Sequence, residues 1–255
     1  MAILSPPFSA PSGPVLLLEQ LHRTFGGRGG VQDVSITVPA GGICALCGSN
    51  GAGKSTTISV IVGLRFAPQG RLVLDGHVVA LNRHAPRVGM GFVADTPVLD
   101  DGLTAAQWAV YVAGVKGVDW PADGLALAGT LRLPESTLHA PIRTLSFGTR
   151  RKVALWAEMV TTQRLLVLDE PLTGLDPDAI DGFHEAATQF VANGRGLLIS
   201  THLLREAEAL ATHVVILEAG RTVANGTLAD VCQGRTLMDT FREVVREVPA
   251  LQAVA

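Results

Sequence analysis

A chain of 255 residues is long enough to bury a sizeable core in one or two domains, which excludes a mini-scaffold that depends on disulfide or metal staples. Hydrophobic residues make up 47% against 17% charged, yet the most apolar stretches, 164–168 and 213–217, fall well short of the about 18 to 20 residues a membrane span needs and read as buried strands. The formal charge is −3 and no basic run exceeds Arg150-Arg151-Lys152, which argues against a protein held to nucleic-acid phosphates. In chain order, residues 1–14 carry Pro6, Pro7, Pro11 and Pro14 without the basic start of a secretory signal, so a flexible N-terminal tail is expected. From Val15 onward short apolar runs alternate with longer amphipathic stretches, the pattern of a mostly parallel sheet flanked by helices in an α/β fold. Strands are predicted over 15–18, 34–38, 43–47, 71–74, 89–93, 165–168, 196–199, 214–217 and 222–224. Helices are predicted over 54–62, 105–115, 149–160, 178–192 and 203–211. Between about 95 and 155 the strand signal is weak and Pro97, Pro121, Pro134 and Pro141 mark turns, so a helical insert is expected there. Residues 236–248 read as an amphipathic helix with Phe241, Val244, Val245 and Val248 on one side.

The odd count of three cysteines suits a reducing compartment. Cys44 and Cys47 form a C-x-x-C, but residues three apart on a strand point to opposite faces, and no second cysteine pair or histidine cluster completes a zinc site. Both are expected to be small buried side chains.

Residues 48–56 read Gly48-Ser49-Asn50-Gly51-Ala52-Gly53-Lys54-Ser55-Thr56, following a predicted strand and opening a predicted helix. Glycines at 48, 51 and 53 free the backbone to turn successive N–H groups around phosphate oxygens, and the helix adds its positive end. Lys54 is expected to place a compact charge on β and γ phosphates, with the Ser55 hydroxyl a hard ligand for Mg²⁺. A second element, the apolar run 164–168 followed by Asp169, Glu170 and Pro171, places two carboxylates where an α/β sheet exposes its functional edge. Asp169 suits the magnesium shell and Glu170 an attacking water. With the Gly-rich loop, this pair resembles the Walker motifs of a P-loop NTPase.

Leu145-Ser146-Phe147-Gly148-Thr149, lying between those motifs, is similar to the LSGGQ signature of the ATP-binding subunits of ABC transporters, with Phe147 and Thr149 departing from it. The resemblance covers about residues 15–230. It implies a RecA-like core with an antiparallel β subdomain and the inserted helical subdomain, followed by a short helical tail at 231–255. It also implies that Ser146 and the amides near Gly148 act in trans, closing on the γ-phosphate held by a second copy, so that two chains bury two ATP molecules head to tail. Gly174-Leu175-Asp176-Pro177 resembles the D-loop, with Asp176 at the dimer interface, and Ser200-Thr201-His202 resembles the switch histidine segment. Phe25 stands where the family stacks an aromatic on adenine, with core packing as its other reading. Asp95 stands where the family has a Q-loop glutamine, and still offers an oxygen to Mg²⁺.

The implied activity is ATP hydrolysis, with Lys54, Glu170 and His202 carrying the chemistry, in a subunit peripheral on the inner, cytoplasmic face of the cell membrane. The implied partners are an integral-membrane permease and a second copy of the chain, with no nucleic acid. The stretch 145–152 looks most like the ATPases of ABC-2 type exporters. The permease contact is expected in the groove formed by 95–101 and the following helix, with Leu99 and Leu103 reaching out and Trp108, Tyr111, Val112 and Val115 packing the insert's own core. The alternatives are a nucleotide-gated regulatory subunit with little hydrolysis, suggested by Asp95, and an ABC ATPase not coupled to transport.

Overall fold

The computed structural model describes residues 13–24, 26, 29–120 and 124–252, with side chains to 246 in the last stretch. Phe25 and most of the expected N-terminal tail lie outside the described residues. In chain order the elements are β1 (Leu16–Thr24), β2 (Gly30–Val38), β3 (Ile43–Gly48), α1 (Lys54–Ile61), β4 (Gln69–Leu74), β5 (His77–Val79), β6 (Met90–Val93), α2 (Ala105–Lys116), α3 (Gly124–Thr130), α4 (Glu135–Leu138), α5 (Phe147–Thr161), β7 (Leu165–Asp169), α6 (Pro177–Val191), β8 (Gly196–Thr201), α7 (Leu204–Leu210), β9 (His213–Glu218), β10 (Arg221–Thr227), α8 (Leu228–Cys232) and α9 (Leu237–Gln252).

β3 and β8 are buried at every position, and β7 at all but its last, which is why they read as unbroken apolar runs rather than alternating ones. They form the middle of a six-stranded sheet ordered β10-β9-β3-β8-β7-β6, in which every pairing is parallel except that of β10 with β9. One face carries Ile43, Ala45 and Cys47 into a core with α5, α6 and α7; the other carries Cys44 and Leu46 into a core with α1 and the second sheet. The two cysteines therefore sit on opposite faces and are free thiols, and burial pushes the Cys47 thiol up to about 12. The second sheet, ordered β2-β1-β4-β5, is wholly antiparallel.

Each predicted strand and helix has a counterpart, with ends displaced by a few residues except in β1, which runs to Thr24 where the prediction stops at 18. β5, α3, α4 and α8 were not predicted. β5 has three residues, two of them exposed; α3 contains two glycines; α4 and α8 are too short to show a helical period. Helices α2 to α5 fall between β6 and β7 in the chain. Among them α5 is tied to α3 by Trp156, whose Nε1 donates to the Gly124 carbonyl at 2.6 Å and whose ring meets Trp120 edge-on at 5.4 Å. In α9, Leu237, Phe241 and Val244 pack onto the core, as an amphipathic helix should; the side chain of Val248 is not among those described.

Because β3, β7 and β8 run parallel and adjacent, their carboxyl ends open together. Asp169 pairs in register with Ser200, and Cys47 with Thr201, so three loops leave the sheet from one edge.

Candidate active site

The loop after β3 turns directly into α1, whose N-cap is Gly53 with no side-chain cap, so the first-turn N–H groups are left for an anion. Gly53 has φ +108°, and a Cβ there would lie 2.6 Å from Val31; Gly51 has φ +83°. Gly48 has no left-handed φ. Its requirement is space, because a Cβ would lie 2.6 Å from the Leu217 carbonyl oxygen on β9. The loop is further held by hydrogen bonds from the Gly220 N–H to the Ala52 carbonyl at 3.0 Å and from the Ser49 hydroxyl to the Glu218 carboxylate at 2.8 Å.

Lys54 folds back beneath the loop, where its Nζ donates to the Gly48 carbonyl at 2.8 Å and lies 3.7 Å from Glu170 Oε1. Asn50 and Ser55 are exposed at the rim and Thr56 is half-buried, while Ala52 is buried. A compact cation under a ring of amides, with hydroxyls at the edge, is what polyphosphate binding needs.

At the end of β7, Asp169 Oδ1 accepts the Ser200 hydroxyl at 2.5 Å. The same Ser200 Oγ accepts the Glu170 N–H at 2.9 Å. Glu170 holds φ +49°, a left-handed conformation that costs a side-chain-bearing residue about 1 kcal/mol and aims its carboxylate out of the strand line. That carboxylate lies between Lys54 and His202, whose Nδ1 is 2.8 Å from Oε2. Lys54, Asp169, Glu170 and His202, separated by up to 148 positions in the chain (202 − 54), thus converge at one sheet edge.

Among the described residues no group of three or more His, Cys, Asp or Glu side chains could hold a metal unaided. The oxygen donors here, Ser55 and Asp169, are hard and few. They fit a magnesium ion whose remaining ligands are waters and substrate phosphates. Asp95 directs Oδ1 at Arg151, 3.2 Å from its guanidinium.

Ser146 is the N-cap of α5, its Oγ accepting the Thr149 N–H at 3.2 Å and lying 2.8 Å from the Thr149 hydroxyl. Thr149 thus takes up a local capping role at the position where it departs from the signature. A Cβ at Gly148 would lie 3.1 Å from the carbonyl oxygen of Gly174, so the signature segment runs close to the D-loop of the same chain. Asp176 caps α6 by accepting the Ala179 N–H at 2.8 Å. Both Ser146 and Asp176 are exposed.

The groove beside α2 departs from expectation. Leu99 is 7% exposed and belongs to the core, Leu103 packs against it, and Val112 is buried. Val98, Tyr111 and Val115 instead face outward, at 87%, 56% and 70% exposure. The cause is the orientation of α2, which buries Ala105, Ala109 and Val112 in the core that also takes Leu99 and leaves Tyr111 and Val115 on its other side.

Two participants were not singled out from the sequence. Ser200 is the polar end of a buried apolar strand, a pattern that asks for a partner. Arg151 lies on the buried stripe of α5 with Leu155 and Met159, where a charge demands one.

These groups and the parallel sheet that aligns them define a P-loop nucleoside triphosphatase. Residues 31–173 match the model of the ABC transporter family. The chain is 29% identical to a Nod factor export ATP-binding protein I from Ralstonia nicotianae, over 95% of this chain and 76% of that one. It is 30% identical to the daunorubicin resistance ATP-binding protein DrrA3 of Streptomyces coeruleorubidus, over 93% and 76%. A solved ATP binding subunit of an ABC transporter superposes with a TM-score of 0.81 at 32% identity, over 90% of this chain and 99% of that one. The chain belongs to the ABC transporter family, as an ATP-hydrolysing ATP-binding subunit.

Proposed function

We propose that two copies of this chain pair head to tail around two ATP molecules and drive an export-type permease in the cell membrane, to whose inner face they are peripheral. The observation that carries the reading is the Glu170 carboxylate set between Lys54 and His202 at the mouth of the phosphate loop. Lys54 and the loop amides from Gly48 to Thr56 hold the triphosphate. Ser55 and Asp169 would hold Mg²⁺, which when bound would supply neutralisation of phosphate charge. Glu170 takes the proton of the attacking water, and His202 orients Glu170 and the γ-phosphate. Ser146, Gly148 and Asp176 of the second copy close the pocket. The nucleoside end fits a cleft of about 370 Å³ lined by Thr24, Gly30, Gln32, Gly51 and Gly220, next in the chain to Phe25.

Export is favoured by the names of the two relatives, one a Nod factor export protein and the other a daunorubicin resistance protein. Among the described residues no helix is long and apolar enough to cross a membrane, so the pathway is assigned to a permease chain. Its docking site is the apolar cavity of about 260 Å³ lined by Phe92, Pro97, Val98, Leu99 and Trp108, with the exposed Tyr111 ring 5.6 Å from that of Trp108. Val98→Asp combined with Tyr111→Asp should release the chain from permease-containing membranes while its ATPase persists; retention at parental levels would remove this surface from the proposal.

The shared pocket is tested by mixing two inactive variants. Ser146→Arg keeps a sound phosphate loop and Lys54→Met a sound signature segment, so a mixed pair has one complete pocket. Statistical pairing of independent pockets gives about a quarter of parental turnover. Turnover no greater than the sum of the separate variants would overturn the head-to-tail arrangement.

A further inference from the structure

The basic triplet at 150–152 splits three ways. Arg150 pairs with Asp101 at 2.9 Å, and Lys152 donates to the Arg132 carbonyl at 3.0 Å. Arg151 is 1% exposed. One arm of its guanidinium donates to the main-chain oxygen of Glu170 and the other to the main-chain oxygen of Asp95, with the Asp95 carboxylate at 3.2 Å. The Phe147 ring covers the group at 5.0 Å, and its Nε is buried without a hydrogen-bond partner among the described residues.

Such a site is a poor source of stability, because a buried charge with an unsatisfied donor is generally no better than an apolar side chain of the same size. What a planar fork supplies is geometry, since it reaches carbonyls on two different loops at once. Glu170 is gripped from both sides: Ser200 holds its N–H and Arg151 its carbonyl, with a left-handed φ between them. The same guanidinium joins three segments: the loop after β6, the end of β7 and the signature residue Phe147, one turn earlier on α5.

We propose that Arg151 is a positioning residue for hydrolysis, which holds the Glu170 peptide so that its carboxylate meets the water and which ties that orientation to the Asp95 loop and the Phe147 segment. This rests on the role given to Glu170 above. The Asp95 carboxylate is then the counter-charge of Arg151 rather than a metal ligand.

The test is steady-state kinetics with equilibrium ATP binding on full-length Arg151→Met, Arg151→Lys and Asp95→Ala. Lysine keeps the charge but lacks the rigid planar fork that holds two separated carbonyls at fixed positions. A misplaced catalytic group costs about 10- to 100-fold in rate, so kcat falls by that much in Arg151→Met and less in Arg151→Lys, with KM and ATP affinity within about 3-fold of parental values. Asp95→Ala lowers kcat by about 3- to 10-fold at an unchanged Mg²⁺ midpoint, and adds little in the Arg151→Lys background. Parental kcat in folded Arg151→Met, or a loss confined to ATP affinity, overturns the proposal. If the Arg151 variants do not fold, Asp95→Ala decides: a weakened Mg²⁺ midpoint with parental kcat at saturating Mg²⁺ overturns it. Failure of the Glu170 reading is recognised separately, since turnover would then survive Glu170→Gln.

Discussion

Glu170→Gln lowers ATP turnover by about 10²- to 10⁴-fold while leaving ATP affinity near the parental value, the span associated with losing a positioned general base. Glutamine keeps the shape of the side chain, and the backbone that sets its direction is untouched: the N–H stays on Ser200 and the carbonyl on Arg151. What is lost is the capacity to take a proton, together with the charge that faces Lys54 at 3.7 Å and His202 at 2.8 Å. Removing that negative charge from beside the phosphates lowers repulsion toward ATP, so the variant retains nucleotide and should elute as an ATP-loaded pair. Phosphate release and gel filtration with labelled ATP measure both. Turnover within a few-fold of the parent would exclude Glu170 as the base.

Lys54→Met separates binding from chemistry in the opposite direction. Lys54 is 7% exposed and its ammonium is hydrogen-bonded to the Gly48 carbonyl at 2.8 Å, which keeps it under the loop and close to Glu170. Methionine fills much the same space, so the loop survives, but no cation faces the phosphates. Hydrogen bonds to charged groups contribute about 1.5 to 3 kcal/mol each, so ATP affinity falls by at least about 10- to 100-fold. Thermal melting gives a clean reading, because a ligand that binds only the native state raises its stability by mass action. Saturating Mg-ATP should raise the parental melting temperature and leave Lys54→Met almost unmoved; an equal rise in both would show that Lys54 does not hold the triphosphate.

How much of this was legible beforehand depends on the range of the signal. The phosphate loop, the apolar strands ending at Asp169 and Thr201, and the helices α1, α2, α5 and α6 are written in local spacing, and each was predicted to within a few residues. Local spacing misled at Gly48, whose glycine answers to a carbonyl on β9 and not to its own φ. It misled again in the groove, where Leu99, expected to reach out, is buried, and Tyr111 and Val115, expected to pack the core, are exposed, because the orientation of α2 decides which of its sides is covered. Asp95 could be compared with a motif from the chain alone, but its partner, 56 positions away, could not be named.

Read by itself, the chain determined which chemical groups exist and in what order they leave the strands, because hydrogen-bonding period, turn chemistry and glycine placement act over a few residues. Tertiary structure alone decided which of those groups touch. The pairing of Ser200 with Asp169 and Glu170, the reach of Arg151 to the carbonyls of Glu170 and Asp95 and the convergence of Lys54 with His202 all depend on the lateral order of parallel strands. That order is settled by burying both faces of β3 between two cores, a many-body packing requirement that no short window of residues contains.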